Sequence, residues 1–281
     1  MGNQTAAKYL NAIHRILGAS RLGARFAVKI RNQMNAVIRA RMMDGIFPES
    51  NGEVLLLDAI APSATCFVDI GANVGEWSTA FAIRAALPVR GLLFEPSPIA
   101  AQRLRAAVDS LTKTGLIHLE ICEVALSDAR GNQEFFMEPD AGETSSFLGQ
   151  HSNEFATRVM VPVRTLDDEL SERSLQEIDM VKIDAEGFDC KVLRGAAIAI
   201  SRQALGVIQF EYNAPWATAG DTLYAAFAQL RSAGYSVYLL KNDGLYTFDY
   251  DCYGEFFGYA NFVAVSRLRE PSVLGLIRGP I

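Results

Sequence analysis

The sequence predicts an α/β fold: a mostly parallel, Rossmann-like sheet of seven strands preceded by a helical extension. Three observations predict it. Thr65-Cys-Phe-Val-Asp-Ile-Gly-Ala-Asn-Val-Gly-Glu-Trp-Ser78 reads as a buried strand, a glycine turn and a helix start. A second apolar strand over 91–94 runs into Glu95, where folds of this kind place an acid on a ribose. Beyond it, strand-like and helix-like segments alternate, the pattern of a parallel sheet with crossover helices.

Of the 281 residues 50% are hydrophobic, enough for one α/β domain with a full core plus an accessory segment. No stretch approaches the roughly 18–20 consecutive apolar residues of a spanning helix. The first residues lack a signal peptide's apolar run and cleavage site, so a cytoplasmic location is expected. Cys66, Cys122, Cys190 and Cys252 are widely spaced without a C-x-x-C pair. They read as buried, reduced thiols rather than zinc ligands or disulfides.

The charge is uneven. Residues 1–43 carry Lys8, Arg15, Arg21, Arg25, Lys29, Arg31, Arg39 and Arg41 and no acid, a charge of +8 that leaves −14 on the remainder. The favoured expectation is a solvated basic face whose apolar side packs on the main domain. The alternative is contact with an anionic surface or a phosphate-bearing substrate.

Residues 5–43 are rich in Ala, Leu, Ile, Met and Arg and hold no proline, so they predict helix, split near Gly18 and Gly23. Leu10, Ile13 and Leu17 share one apolar face, as do Phe26, Ile30, Met34, Val37 and Ile38. Asp44-Gly45 and Phe47-Pro48 form a break before a short helix over 53–60. Strand 66–70 leads to a helix over 77–87, and strand 91–94 to a helix over 97–111. Ser97-Pro98 supplies the latter's cap and first-turn proline. Residues 117–124 form the third strand; 133–138 and 160–166 are extra strands around a mobile loop, 140–146. Strands over 179–184 and 206–212 follow, with helices from 188 and over 222–233. An antiparallel pair, 236–240 and 262–265, closes the sheet. The expected divisions are an extension over 1–60, a main domain over 61–270 and a loose tail over 271–281.

The turn spacing narrows the ligand. A dinucleotide fingerprint is G-x-G-x-x-G over a pyrophosphate, whereas Gly71 and Gly75 give G-x-x-x-G after an acid, Asp69. A carboxylate there repels a pyrophosphate and suits a cationic ligand. S-adenosylmethionine, with an ammonium and a sulfonium, meets that requirement. Ligands of open α/β sheets bind outside the carboxyl ends of the strands. Five strands deliver an acid to that edge: Asp69, Glu95, Asp128 just after strand three, Asp184 and Glu211.

These stretches resemble the FkbM family of S-adenosylmethionine-dependent methyltransferases. The marks are Phe67-Val-Asp-Ile-Gly-Ala-Asn-Val-Gly75, Phe94-Glu-Pro-Ser97, Ala125-Leu-Ser-Asp128, Val163-Arg-Thr-Leu-Asp-Asp168 and Ile178-Asp-Met-Val-Lys-Ile-Asp-Ala-Glu-Gly187. The phrase Lys-Ile-Asp-x-Glu-Gly, followed by Val192-Leu-Arg-Gly195, is the specific one; residues 1–60 lie outside the resemblance. It implies a class I methyltransferase fold and O-methylation of a sugar or secondary-metabolite hydroxyl. It also implies that Asp69, Gly71, Asn73 and Gly75 hold the methionine end, that Glu95 with Pro96 lies at the ribose, and that Ser127 and Asp128 flank the adenine.

A sulfonium methyl is already activated, so the protein must align an oxygen in line with it. A sugar hydroxyl also needs its proton drawn off by a base or a metal. Asp184, Glu186 and Glu211 are the candidate catalytic carboxylates. Mg²⁺ on Asp184 and Glu211, helped by Asn213, stays open as an alternative. Lys182 reads as a counter-ion to these acids. His14 and His118 read as structural or solvated, while His151, with Thr144, Ser145 and Ser146, belongs to the loop that could reach the substrate. The expected partner is a small-molecule or glycan acceptor; the acidic main domain argues against nucleic acid. The rival readings are a non-catalytic module that keeps the cofactor fold and an NAD-dependent oxidoreductase. The strand-end acids argue against the first and the missing middle glycine against the second.

Overall fold

A computed structural model describes residues 2–45, 47–86, 88–137, 146–149 and 156–281. Most of the expected loop over 140–146, and His151, lie outside the described residues. The chain divides into two compact units, residues 1–42 and 43–281. The first is a pair of helices, α1 (Gly2–Gly18) and α2 (Arg21–Met42). Ser20 Oγ accepts the Gly23 N–H (2.9 Å) at the start of α2.

The second unit begins with α3 (Pro48–Asn51) and α4 (Glu53–Ile60). Leu56, Leu57 and Ile60 of α4 are fully buried in the main core, so α4 belongs to this body rather than to an extension reaching residue 60. Strand β1 (Cys66–Ile70) follows, buried along its whole length, and then α5 (Glu76–Ala82). This helix is shorter than the sequence predicts. The Ala86 N–H bonds to Ala61 O (3.2 Å) instead of continuing the helical ladder. Strand β2 (Val89–Phe94) runs into α6 (Pro98–Leu111), whose cap Ser97 accepts from the Ala100 N–H (3.3 Å). Next come β3 (Ile117–Cys122), β4 (Ala125–Leu126), β5 (Gly131–Met137) and β6 (Thr157–Arg164).

Helix α7 (Leu166–Glu172) leads to β7 (Ile178–Ile183), α8 (Asp189–Gly195) and β8 (Leu205–Tyr212). The chain closes with β9 (Ser236–Lys241), β10 (Gly244–Thr247), β11 (Ala260–Val265) and β12 (Ile277–Pro280).

The main sheet runs β12-β10-β9-β11-β8-β7-β1-β2-β3, with β3, β2, β1, β7 and β8 parallel. The inner parallel block is closed by β11, which runs antiparallel to both β8 and β9. The expected count of seven strands is corrected to nine among the described residues. The two missed strands are short. β10 is the return of a tight hairpin with β9, and β12 lies in the segment expected to be a loose tail. Four-residue strands are too short to display an apolar alternation, so the sequence gives no signal for them. The extra strands form a second sheet, β4-β6-β5, as expected of segments outside the main one. Three cysteines are buried, but Cys252 is exposed, contrary to expectation.

The core on one side of the sheet centres on Phe67, Trp77 and Phe81, with Phe67 and Phe81 ring centroids 4.4 Å apart. At the amino ends of the central strands Asp179 joins three elements. Its Oδ2 accepts from the Thr65 N–H (2.7 Å) and the Cys66 N–H (2.9 Å), and Arg269 pairs with its Oδ1. Replacing Asp179 by Ala takes this partner from the buried Cys66 N–H, the part-buried Thr65 N–H and the Arg269 guanidinium. Urea denaturation of Asp179→Ala is expected to show a loss of about 2–4 kcal/mol.

Candidate functional site

Strand order reverses at β1, whose neighbours are β2 on one side and β7 on the other. Loops leaving the carboxyl ends of these strands diverge there and open a crevice. In this protein the crevice is a cavity of about 760 Å³. Its wall includes Gly71, Ala72, Asn73 and Val74 from the turn after β1, Glu95 and Pro96 after β2, Asp184 and Glu186 after β7, and Glu211 at the end of β8.

Backbone approach shapes the turn. Gly71 has φ +79°, and a Cβ there would lie 1.9 Å from Asp184 O, so only glycine lets the β1 turn meet the β7 turn. Gly75 (φ +88°) is absent from the cavity wall; its missing Cβ makes room for Leu104 of α6. Asn73 (φ +46°) and Glu186 (φ +48°) hold the left-handed region without being glycine. Asn tolerates that conformation, whereas Glu186 adopts it at a cost of roughly 1 kcal/mol or more, as residues at functional sites often do.

The acids fall into three groups. Asp69 is 1% exposed and lies behind the wall rather than in it; the Ser78 hydroxyl donates to its Oδ2 (2.5 Å) and its Oδ1 has no partner. Burial pushes its carboxyl up to about 6 despite the Lys182 charge and the Ser78 bond. Glu95 ties two turns together, accepting from the Asn73 N–H (2.9 Å) and the Ser97 N–H (2.7 Å). Burial raises it to about 7 against those bonds. Glu211 accepts from Asn213 Nδ2 (2.5 Å), and burial, followed by the charges of Asp184, Glu186 and Asp189, lifts it well above the usual carboxylate range.

Lys182 is the cation among them. Its Nζ donates to Asp184 Oδ2 at 2.9 Å, the counter-ion role expected of it. Burial works against its charge, but Asp184, Glu53 and Asp69 outweigh burial and hold it firmly protonated. Behind Glu211, Asp189 receives the Ala185, Gly187 and Glu211 N–H groups (3.3–3.5 Å) and is raised to about 8, chiefly by burial.

Ser127 and Asp128 are not brought to the cavity. Asp128 is held by Arg194 of α8 (3.0 Å), which with burial opposing keeps its carboxyl below the usual range, and Ser127 Oγ donates to it (3.3 Å). The cavity is lined instead by the preceding residues, Val124, Ala125 and Leu126. The donor set for Mg²⁺ does not fit. Lys182 already occupies an Asp184 oxygen, and Asn213 presents its amide N–H to Glu211. Among the described residues no three His, Cys, Asp or Glu side chains converge as metal ligands. His118 is exposed on β3. Ser146 is buried and bonded to the β5 backbone, so of the loop residues considered it alone has a described place.

Sequence reasoning missed one wall. Phe47, Asn51 and Glu53 line it from α3 and α4, and Tyr259 from the turn before β11. Asn51 Oδ1 accepts the Glu53 N–H (3.0 Å) while its Nδ2 donates to Tyr259 OH (3.2 Å), and Gln209 Nε2 donates to Glu53 (2.6 Å). Tyr259 is pushed up to about 12 by burial and the Glu211 charge, so it remains a hydroxyl donor. The one available signal was Glu53, an acid heading a helix, Glu53–Ile60, in which Asp58 is the one other charged residue.

A family model described as Methyltransferase FkbM domain matches residues 69–237. The chain is 28% identical over 148 residues to 2-O-methyltransferase NoeI of Sinorhizobium fredii, covering 48% of this chain and 58% of NoeI. It is 27% identical to AMB antimetabolite synthetase AmbE of Pseudomonas aeruginosa, covering 86% of this chain and 12% of AmbE. The chain thus spans less than two thirds of the length of either relative. The crystal structure of Methyltransferase FkbM from Methylobacillus flagellatus aligns at a TM-score of 0.46 and 17% identity, over 71% of this chain and 43% of that one.

The raised carboxyls set a pH dependence. A folded-state pKa above the unfolded value means the native state binds extra protons, so this contribution is full below about pH 4 and is lost as pH rises through 6 to 8. The ligand-free protein is therefore expected to lose stability between pH 5 and 8 in urea titrations. Asp69→Asn removes one of the groups, raised from 3.8 to about 6. It should flatten the lower part of that fall and gain about 3 kcal/mol at pH 8.

Proposed function

The chain belongs to the FkbM methyltransferase family, and on that premise we propose that it transfers a methyl group from S-adenosylmethionine to a hydroxyl of a sugar or sugar-like acceptor. The observation that carries this is the acid-rimmed cavity at the switch point of the sheet. S-adenosylmethionine supplies an activated methyl group on a cationic sulfur. Its fit rests on the unpartnered Asp69 Oδ1 behind the glycine turn and on the carboxylates that outnumber Lys182 and Arg103 in the wall. Asp69 supplies negative field for the cationic end through its unpartnered Oδ1. Glu95 keeps lone pairs for ribose hydroxyls beyond its two backbone bonds. Phe94, Val124 and Leu126 give an apolar surface for the adenine.

Glu211 is the preferred base. Asp184 is neutralised by Lys182, whereas Glu211 has a raised proton affinity and lies in the wall beside Tyr259. Glu211 would accept the proton that the acceptor hydroxyl gives up on methylation, with S-adenosylhomocysteine as the released product. Tyr259 orients the acceptor by donating its O–H to a neighbouring oxygen.

Calorimetry with S-adenosylhomocysteine and labelled S-adenosylmethionine with a glycoside panel test the proposal. A folded protein that binds no S-adenosylhomocysteine refutes the cofactor. Glu211→Gln should keep that binding and lower turnover by about 10²–10⁴-fold, and wild-type turnover should rise with pH as Glu211 ionises. Tyr259→Phe should raise the acceptor KM by about 5–10-fold, one hydrogen bond's worth, with S-adenosylhomocysteine affinity intact.

A further inference from the structure

The basic helix pair carries an observation the cavity does not use. On α1, Leu10, Ile13 and Leu17 form an apolar stripe at i, i+3, i+7 spacing, and Lys8 and Arg15 fall on the opposite side of the helix. On α2, Phe26, Ile30 and Met34 form a second stripe at i, i+4, i+8, opposite Arg21 and Arg39. Within the helix pair the two helices do not bury these stripes against each other: exposure along them runs from 39% at Leu17 to 58% at Phe26. Among the described residues no helix is long and apolar enough to cross a membrane.

We propose that this helix pair is a docking surface for an anionic phospholipid bilayer, lying in the plane of the headgroups with its apolar stripes in the acyl boundary. Exposed apolar stripes of this extent call for an apolar phase. A charge of +8 without one acid calls for an anionic one, and a bilayer carrying acidic headgroups supplies both. The competing occupants each satisfy half. A second copy would cover the stripes but bring two +8 units together. A nucleic acid would neutralise the charge and leave the stripes in water. The acid-free composition is what separates this surface from an ordinary solvated amphipathic helix, where both signs intermix.

The test is sedimentation of the full chain with vesicles of pure phosphatidylcholine, or of phosphatidylcholine with about a quarter phosphatidylglycerol, at low and high salt. Binding to the acidic vesicles should be about tenfold or more tighter than to neutral ones and weaken with salt. Two variants separate the forces, and both change residues that are exposed in the helix pair. Arg15→Glu/Arg25→Glu/Lys29→Glu should abolish the preference for acidic vesicles. Ile13→Asn/Phe26→Asn should weaken binding at high salt, where the apolar part remains. S-adenosylhomocysteine binding should be unchanged in both, so the vesicle result stands apart from the fate of the methyltransferase proposal. Equal partition to both vesicles, or none, overturns the proposal. So does concentration-dependent dimerisation without vesicle binding, or tighter binding to duplex DNA than to acidic vesicles.

Discussion

One buried cation organises the site. The Lys182 ammonium sits on β7 between Asp69 of β1, which is its register partner, and Gln209 of β8, which is its partner on the other side. Glu53 reaches the same row from α4 through Gln209. A charge that deep survives only because carboxylates surround it, and those carboxylates are tolerated only because it is there. The row crosses the three central strands just beneath the cavity. It therefore fixes Asp184, and with it the turn against which Gly71 must close.

From that row the acids divide by what holds them. Glu95 and Asp189 spend their oxygens on backbone N–H groups and so fix the turns after β2 and β7. Asp128 is committed to Arg194 and, through it, to Asp221. Glu211 alone among the strand-end acids combines a place in the wall, a single side-chain bond and strong repulsion from its neighbours. Negative charge in excess of cation is costly in a folded protein. Here part of the cost is met by protonation, since Glu95 and Asp189 are raised to about 7 and about 8. A cationic ligand would relieve the same repulsion, so ligand binding and proton release are coupled.

The inner parallel strands were legible because each is a mainly apolar stretch bounded by turn residues, with an acid at or just past its end. Glycine at 71 was legible for a related reason: a strand passing into a helix through so short a turn needs φ > 0. The short strands β10 and β12 were not, because four residues cannot display a period. Ser127 and Asp128 were placed by analogy of position. The α8 guanidinium, some 66 residues on, was the deciding partner.

The sequence by itself determined the doubly wound order of strands and helices, the edge on which the acids collect and the separation of a basic helical segment from an acidic body. These follow from periodicity, glycine chemistry and charge count, all local along the chain. Only the tertiary structure decided which acids face the cavity, which are tied to backbone, and that Glu53, Asn51 and Tyr259 complete the wall. Those outcomes depend on contacts between residues as much as 208 positions apart, as Asn51 and Tyr259 are, and a side chain's partner at that separation is set by packing.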